Sequence, residues 1–148
     1  MDDGVSRHEK TFFAVAKDLS LLSNHKQKLG CVIVDKHHIV GSGHNSQTKC
    51  HRFQADLDKK FFGVDNCKGP IHAEVDALIP LIKRRYDLTG ATLYVYRQNK
   101  DGHKALARPC ERCMSLIKSC GIRKIKYTTP DGIAFEKIIY WGIKDEAD

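Results

Sequence analysis

The chain has 148 residues, of which 41% are hydrophobic and 29% are charged, and its formal net charge is +7. These values are typical of one soluble globular domain spanning residues 1–148, without repeats or low-complexity tracts. No apolar run approaches the ~20 residues of a membrane-spanning helix, which argues against a membrane protein. The positive charge indicates acidic partners, either a nucleotide phosphate or a nucleic-acid backbone.

The N-terminus and the cysteines indicate a cellular compartment. Residues 1–4 are acidic and no apolar segment follows them, so we expect no secretory signal and a cytoplasmic location, in the cell itself or in an infected host cell. The chain has six cysteines. Cys31 lies in an apolar run, and Cys110 and Cys113 belong to a motif that needs thiolates, so a reducing compartment is favoured over a set of disulfides.

The first predicted element is an amphipathic helix that begins after residue 6. Ser6 and Glu9 have the spacing of a capping box, in which each side chain accepts a hydrogen bond from the other residue's backbone N–H. Apolar residues then recur at helical spacing, and the helix should end near Ser23. The predicted buried face consists of Phe12, Val15, Ala16, Leu19 and Leu22.

Two β-rich runs follow, residues 29–35 and 39–43, and the polar residues between them predict a β-hairpin. Residues 46–70 are polar and show no sustained period, so we expect an excursion over the surface. A second helix should begin at residue 72. Pro80 lies inside its pattern, where it removes a backbone hydrogen bond, and predicts a kink or an early stop.

The second half of the chain predicts further strands and one more helix. Residues 91–96 indicate a strand, which a β-arm with a turn at 99–102 extends. Residues 110–120 indicate a helix ended by Gly121, which can adopt the left-handed conformation. A strand at 124–128 is followed by a tight-turn sequence and a returning strand at 133–139, so the last two strands should pair antiparallel.

The most informative residues are His72-Ala73-Glu74 and, further on, Pro109-Cys110-Glu111-Arg112-Cys113. One His and two Cys supply three zinc ligands, whereas a purely structural zinc takes four. Cys110 and Cys113 lie three apart at a helix start, so both side chains face the same way, near the positive end of the helix dipole. If His72 opens a neighbouring helix, the three side chains can meet at one zinc with a position left for water.

This order of motifs, H-x-E before P-C-x-x-C, resembles that of the cytidine and deoxycytidylate deaminase superfamily. The resemblance covers most of the chain and implies a three-layer α/β/α fold with a mixed five-stranded sheet. It also implies that Glu74, which is not a zinc ligand, takes a proton from water, protonates N3 of a cytosine ring and then protonates the departing ammonia. Members that resemble deoxycytidylate and tRNA adenosine deaminases normally have a helix between the last two strands, which makes these strands parallel. The free-nucleoside cytidine deaminases have the antiparallel hairpin that this sequence favours.

The resemblance implies substrate-binding roles for Asn45 and Ala73. Asn45 follows the second strand at the place of the family asparagine that contacts the nucleoside, although an Asn after Gly is also an ordinary turn residue. His44 either stacks on the base or is a surface histidine. We expect Arg108 to bind substrate as well.

Residues 97–108 form a longer arm than the family usually has before P-C-x-x-C. Its basic residues predict a phosphate clamp, a loop that grips nucleic acid, or a solvated hairpin. The arm has no aromatic residue at its tip for base stacking, which favours a small nucleotide. The basic residues are Arg97, Lys100, His103, Lys104 and Arg108.

Cys50, His51 and Cys67 lie together in the polar excursion, where some phage deoxycytidylate deaminases carry a second, structural zinc. Their spacing matches no standard zinc finger, so ordinary loop residues are favoured. Cys120 is expected in the core.

The sequence therefore predicts a zinc-dependent hydrolytic deaminase of a cytosine nucleotide, dCMP or a close relative. The family resemblance implies a homo-oligomer. Two alternatives stay open at this point. One is a deaminase that edits cytosine or adenosine in single-stranded DNA, RNA or tRNA. The other is a non-catalytic zinc module that binds nucleic acid, which would have no need of Glu74.

Overall fold

The computed structural model describes residues 5–47, 52–62 and 71–138 and has a five-stranded sheet at its centre. The elements in chain order are α1 (Arg7–Ser20), β1 (Lys28–Asp35), β2 (His38–His44), α2 (Arg52–Phe62), α3 (Ala73–Lys83), β3 (Thr92–Gln98), α4 (Glu111–Ser119), β4 (Lys124–Thr129) and β5 (Gly132–Lys137). The strand order is β2-β1-β3-β4-β5. Only the β3–β4 pair is parallel, so the sheet is mixed, as predicted.

Helices cover both faces of the sheet because successive residues of its strands point to opposite sides. In β1, Val32 packs with α1 on one face, while Cys31 and Ile33 belong to the larger cluster on the other. That larger cluster also contains Leu78 of α3 and Ile117 of α4. The predicted three-layer α/β/α arrangement is therefore confirmed.

The capping box at the start of α1 is confirmed, with both reciprocal hydrogen bonds between Ser6 and Glu9 at 3.2 Å. The helix ends at Ser20, however, three residues earlier than predicted. The N–H groups of Leu22 and Ser23 donate to carbonyls three residues back, which tightens the last turn. Leu22 is 66% exposed, so its prediction as a core residue was wrong.

The prediction of a surface excursion at 46–70 was wrong for its central part, which forms α2. Gln54, Ala55 and Asp58 of this helix are buried. Phe53 and Leu57 have helical spacing in the sequence, but the polar residues around them obscured that signal. The helix contacts both α3 and α4, so it lies close to the predicted zinc ligands.

The early stop predicted at Pro80 is not observed, because α3 continues to Lys83. Proline removes only its own N–H, and the next turn is closed by the Arg84 N–H, which donates to the Pro80 carbonyl at 3.2 Å. Leu81, one residue after the proline, is fully buried in the core and holds the helix in place.

The remaining predicted elements are confirmed with small shifts of their ends. Gly121 follows α4 with φ of 89°, and the antiparallel β4–β5 hairpin pairs Thr129 with Gly132 and Ile125 with Glu136. The arm after β3 turns where predicted, since the Asn99 N–H donates to the His103 carbonyl at 2.8 Å. No helix in the described ranges is long and apolar enough to span a membrane.

Candidate metal centre and active-site cavity

A glycine brings the end of β2 onto the first turn of α3. A Cβ atom at Gly43 would lie 2.6 Å from the Ala77 backbone nitrogen and 2.7 Å from the Ala73 carbonyl oxygen, so no larger residue fits there. The His44 N–H also donates to the Asp76 carboxylate at 3.2 Å. This close contact places the residues that follow β2 beside the start of α3.

The predicted zinc ligands occupy the starts of two helices. His72 is the N-cap of α3 and Cys110 is the N-cap of α4, and neither side chain makes a capping hydrogen bond. Cys113 lies in the first turn of α4 and is buried. Both helix starts therefore present ligand side chains, with the positive end of each helix dipole directed at the same place.

The structure brings the three ligand atoms of His72, Cys110 and Cys113 within 4.8 Å of one another. His72 Nδ1 lies 3.7 Å from Cys110 Sγ and 3.4 Å from Cys113 Sγ. Tetrahedral zinc with ordinary bond lengths separates a sulfur and a nitrogen ligand by about 3.6 Å. The donor set and its spacing thus fit a zinc ion with three protein ligands.

The two cysteines have different acidities. A hydrogen bond with Cys113 and another with His72 outweigh burial and lower the pKa of Cys110 to about 3. The same hydrogen bond with Cys110, together with burial, raises the pKa of Cys113. Cys110 is therefore a ready thiolate ligand, and a zinc ion bound at both sulfurs would displace the proton of Cys113.

Glu74 lies in the first turn of α3 and is only 3% exposed. Burial raises the pKa of Glu74, and the positive charge of His72 only partly opposes this effect. A carboxyl group that is easily protonated, next to a metal site and not part of its ligand set, can accept a proton and give it back.

A cavity of about 200 Å³ opens beside these residues. Its wall includes Asn45, Ala73, Glu74 and both His72 and Cys110. The predicted metal ligands and the predicted proton carrier therefore share one cavity with two of the predicted substrate-binding residues. It is large enough for a small planar ring.

Comparison with known proteins identifies the family. The family model of the cytidine and deoxycytidylate deaminase zinc-binding region matches residues 6–129. The chain belongs to this family. Deoxycytidylate deaminase of Mycobacterium phage D29 is 31% identical over 112 residues, which cover 69% of this chain and 78% of the phage protein.

Two solved structures share the fold of this deaminase. The dCMP deaminase of cyanophage S-TIM5 in its apo form has a TM-score of 0.56 and 23% identity, with 80% of this chain and 79% of that chain covered. Cytidine deaminase of Burkholderia pseudomallei has a TM-score of 0.60 and 15% identity, with 90% and 93% covered. Together with the family match, these likenesses show a hydrolytic deaminase of the cytidine deaminase-like fold.

Asn45 of this deaminase is 6% exposed, and both the oxygen and the nitrogen of its side-chain amide form hydrogen bonds. Its Oδ1 accepts from the Leu29 N–H at 2.9 Å, and its Nδ2 donates to the Gln27 carbonyl at 2.6 Å. An amide has two N–H groups and two lone pairs on its oxygen, so one of each remains beyond these bonds. His44 contacts the Asn45 carbonyl at 3.1 Å and, among the described residues, is not part of the cavity wall.

Two arginines of the predicted arm lie in the same cavity wall. Arg108 forms an ion pair with Glu136, at 2.7 Å between Nε and Oε2. Arg97 donates from Nη1 to the Leu106 carbonyl at 3.1 Å, and within the described ranges its buried Nε has no hydrogen-bond partner. The other basic residues of the arm, Lys100, His103 and Lys104, are exposed.

The sequence did not reveal several residues of this site. His25, Gln27 and Leu106 line the cavity, although no motif marks them. Gln54 and Asp58 of α2 also lie next to the candidate metal centre. Gln54 accepts a hydrogen bond from the His72 N–H and donates one to Asp58. The only sequence signal for these two was their four-residue spacing within a weak helical pattern.

Cys50, His51 and Cys67, considered for a second zinc, lie outside the described residues. Within the ranges that the structure describes, the grouping of potential metal ligands is that of His72, Cys110 and Cys113. Cys120 is half-buried and packs against the core, close to its expected place.

Proposed function

We propose that this protein converts dCMP to dUMP and ammonia, with zinc held by His72, Cys110 and Cys113. The observation that carries the proposal is the buried Glu74 beside this ligand cluster, in a cavity whose wall also contains Arg97 and Arg108. Such a cavity offers a proton carrier for the base at one side and positive charge for a phosphate at another.

A zinc ion on these three residues would bind water at its fourth position and make that water more acidic. Glu74 accepts the proton that the water loses and passes it to N3 of the cytosine ring. Water oxygen forms the new bond to C4, and Glu74 then transfers the second water proton, from the new C4 hydroxyl, to the amino group. The C4–N bond breaks, ammonia leaves and the C4 carbonyl of uracil forms.

Asn45 and Ala73 orient the substrate. The amide of Asn45 is fixed by its bonds to the backbone of residues 27 and 29, so its remaining donor and acceptor groups are preorganised for the nucleoside. Ala73 begins α3 and is 1% exposed, and its small side chain leaves room for the ring beside Glu74.

The monophosphate is favoured by three observations. The D29 relative, which is 31% identical, is a deoxycytidylate deaminase. A solved structure of the S-TIM5 dCMP deaminase, which shares the fold, is in complex with dCMP and dUMP. Arg97 and Arg108 give this chain the positive charge that a phosphate requires.

A second candidate substrate is the free nucleoside, cytidine or deoxycytidine. The antiparallel pairing of β4 with β5 favours it, because that hairpin is typical of nucleoside deaminases of the family. The same residues would carry out the same chemistry, and only the phosphate contacts would be unused.

A substrate panel tests the proposal. The purified protein is incubated with cytidine, deoxycytidine, CMP, dCMP and a cytosine-containing oligonucleotide, and uracil products are measured by chromatography. We expect the highest kcat/KM on dCMP. Equal or higher kcat/KM on deoxycytidine would contradict the phosphate specificity, and product only from the oligonucleotide would identify an editing enzyme instead.

A further inference from the structure

The α2 helix carries two buried polar residues whose partners belong to the two halves of the metal site. Gln54 is 2% exposed and Asp58 is 6% exposed. Burying such groups costs free energy unless they are hydrogen-bonded, so each should have hydrogen-bond partners inside the fold.

These contacts form a continuous chain from one ligand-bearing segment to the other. The His72 backbone N–H donates to Gln54 Oε1 at 3.1 Å, and Gln54 Nε2 donates to Asp58 Oδ1 at 3.0 Å. Arg112, between the two metal-site cysteines, donates from Nη1 to the same Asp58 oxygen at 2.6 Å. We call these three side chains the Gln54–Asp58–Arg112 network.

We propose that Gln54 and Asp58 are positioning residues for the metal centre, which fix the His72 segment and the start of α4 relative to each other. The inference rests on the proposed function in one respect, namely that zinc binds at His72, Cys110 and Cys113. It adds that α2, outside both sequence motifs, sets how tightly and in what geometry the zinc is held.

The geometry supports this role because His72 and Cys110 begin different helices. Without a link, the ligand atoms could separate whenever α3 and α4 shift against each other. Gln54 fixes the backbone of His72 itself, while Asp58 fixes the residue that directly precedes Cys113. Second-layer hydrogen bonds of this kind orient metal ligands and commonly change metal affinity.

The charge of Arg112 is a second reason to expect that the network affects the metal centre. Two thiolates cancel the charge of a zinc ion, and the Arg112 guanidinium lies close enough to hydrogen-bond with Cys110. The Asp58 side chain that holds this guanidinium is buried, and the Arg112 side chain is largely buried as well. The network therefore keeps a positive group beside the sulfur ligands.

The test uses three single variants of the full chain. Gln54→Met keeps the side-chain volume but removes the acceptor for the His72 N–H, and Asp58→Asn keeps the shape but removes the charge that holds Arg112. Asp56→Asn is the matched control, since Asp56 lies on the same helix and pairs with Arg52 on its exposed face, with 64% and 87% of the side chains exposed.

Zinc affinity is measured by competition with a chromophoric chelator, and the ligand geometry by the absorption spectrum of the cobalt-substituted protein. We expect Gln54→Met and Asp58→Asn to bind zinc about 10-fold to 100-fold more weakly than the parent, with altered cobalt bands. A fourth protein that combines Gln54→Met with Asp58→Asn should lose less affinity than the product of the two single effects, because both residues act through one network. Asp56→Asn should match the parent.

Thermal unfolding of the metal-free proteins separates positioning from folding. Weaker zinc binding by Asp58→Asn at an unchanged melting temperature supports the proposal. Zinc affinities and cobalt spectra of the Gln54 and Asp58 variants equal to those of Asp56→Asn would overturn it. A loss of affinity that only accompanies a lower melting temperature, with unchanged cobalt bands, would also overturn it. If the parent protein binds no zinc, both the proposed function and this inference are overturned. If the parent binds zinc and deaminates dCMP, but the Gln54 and Asp58 variants bind zinc as well as the control does, this inference alone is overturned.

Discussion

Arg108 and Glu136 form a two-point ion pair at the wall of the active-site cavity, at 2.7 Å from Nε to Oε2 and 3.1 Å from Nη2 to Oε1. The Tyr127 hydroxyl donates to the same Oε2 at 2.7 Å. The Glu136 carboxylate therefore fixes the Arg108 fork and also balances its charge. A substrate phosphate would meet a rigid arginine and a competing carboxylate.

This relationship leads to a prediction about phosphate recognition. Arg108→Ala should lower kcat/KM for dCMP by about 10-fold to 100-fold, because a charge-assisted hydrogen bond contributes about 1.5–3 kcal/mol. Its effect on deoxycytidine should be small. Steady-state kinetics on both substrates measures the difference, and equal losses on the two would contradict a phosphate contact.

Glu136→Gln should have the opposite effect on the same substrate. Removing the carboxylate charge frees the positive charge of Arg108 for the phosphate, so KM for dCMP should fall while KM for deoxycytidine stays constant. A rise in KM for dCMP would show instead that Glu136 serves mainly to orient Arg108. The same kinetic assay, with Asp131→Asn in the exposed β4–β5 turn as the control, distinguishes these results.

The cysteines allow a matched test of the metal site. Cys110→Ser and Cys113→Ser should each lose zinc, because each removes one of the three proposed protein ligands. Cys120→Ser changes a cysteine at the other end of α4 that packs against the core, and it should keep its zinc. Zinc content after gel filtration, measured by plasma mass spectrometry, gives the comparison; full zinc content in the Cys113 variant would contradict the ligand set.

Much of the fold was predictable because its signals are local. Residues 32–34 of the first hairpin are β-branched, the turns of the arm and of the last hairpin contain glycine or proline, and Ser6 with Glu9 marks a helix start, so each was visible within a few residues of sequence. The grouping of the two cysteines was also predictable, since the C-x-x-C spacing places two side chains on one helix turn. The structure brings His72 within 4.8 Å of both of them, measured between potential ligand atoms.

The α2 helix could not be predicted in the same way. Gln54 and Asp58 are polar, and polar residues are ordinarily exposed, so local sequence favoured a surface loop. Their burial depends on the His72 N–H and on Arg112, which lie 18 and 54 residues further along the chain. Likewise, the balance of Arg108 by Glu136 is a contact across 28 residues that no local pattern shows.

The Glu9 carboxylate should make stability depend on pH. Burial disfavours its charge, but hydrogen bonds from Lys126 and from the Ser6 backbone outweigh this and hold the pKa of Glu9 below its ordinary value. A carboxyl with a lowered pKa stabilises the fold above its unfolded pKa of about 4.3, and that contribution disappears as the pH falls through the folded value.

Glu9→Gln should therefore lower the free energy of unfolding by about 1 kcal/mol at pH 7 and by much less near pH 3. Glutamine can still complete the capping box with Ser6, so the change isolates the contact with Lys126. Urea unfolding at both pH values tests this, with the exposed Asp18→Asn as the control. An equal loss at pH 3 and pH 7 would contradict the ionic contribution.

The central claim is that Glu74 transfers protons at a zinc site without holding the metal. The most direct measurement is dUMP release from dCMP by the parent and by Glu74→Gln, with zinc content determined on the same samples. We expect full zinc in both proteins and a loss of turnover by about 10²-fold to 10⁴-fold in the variant. Turnover at the parent rate in a zinc-loaded Glu74→Gln protein would contradict it.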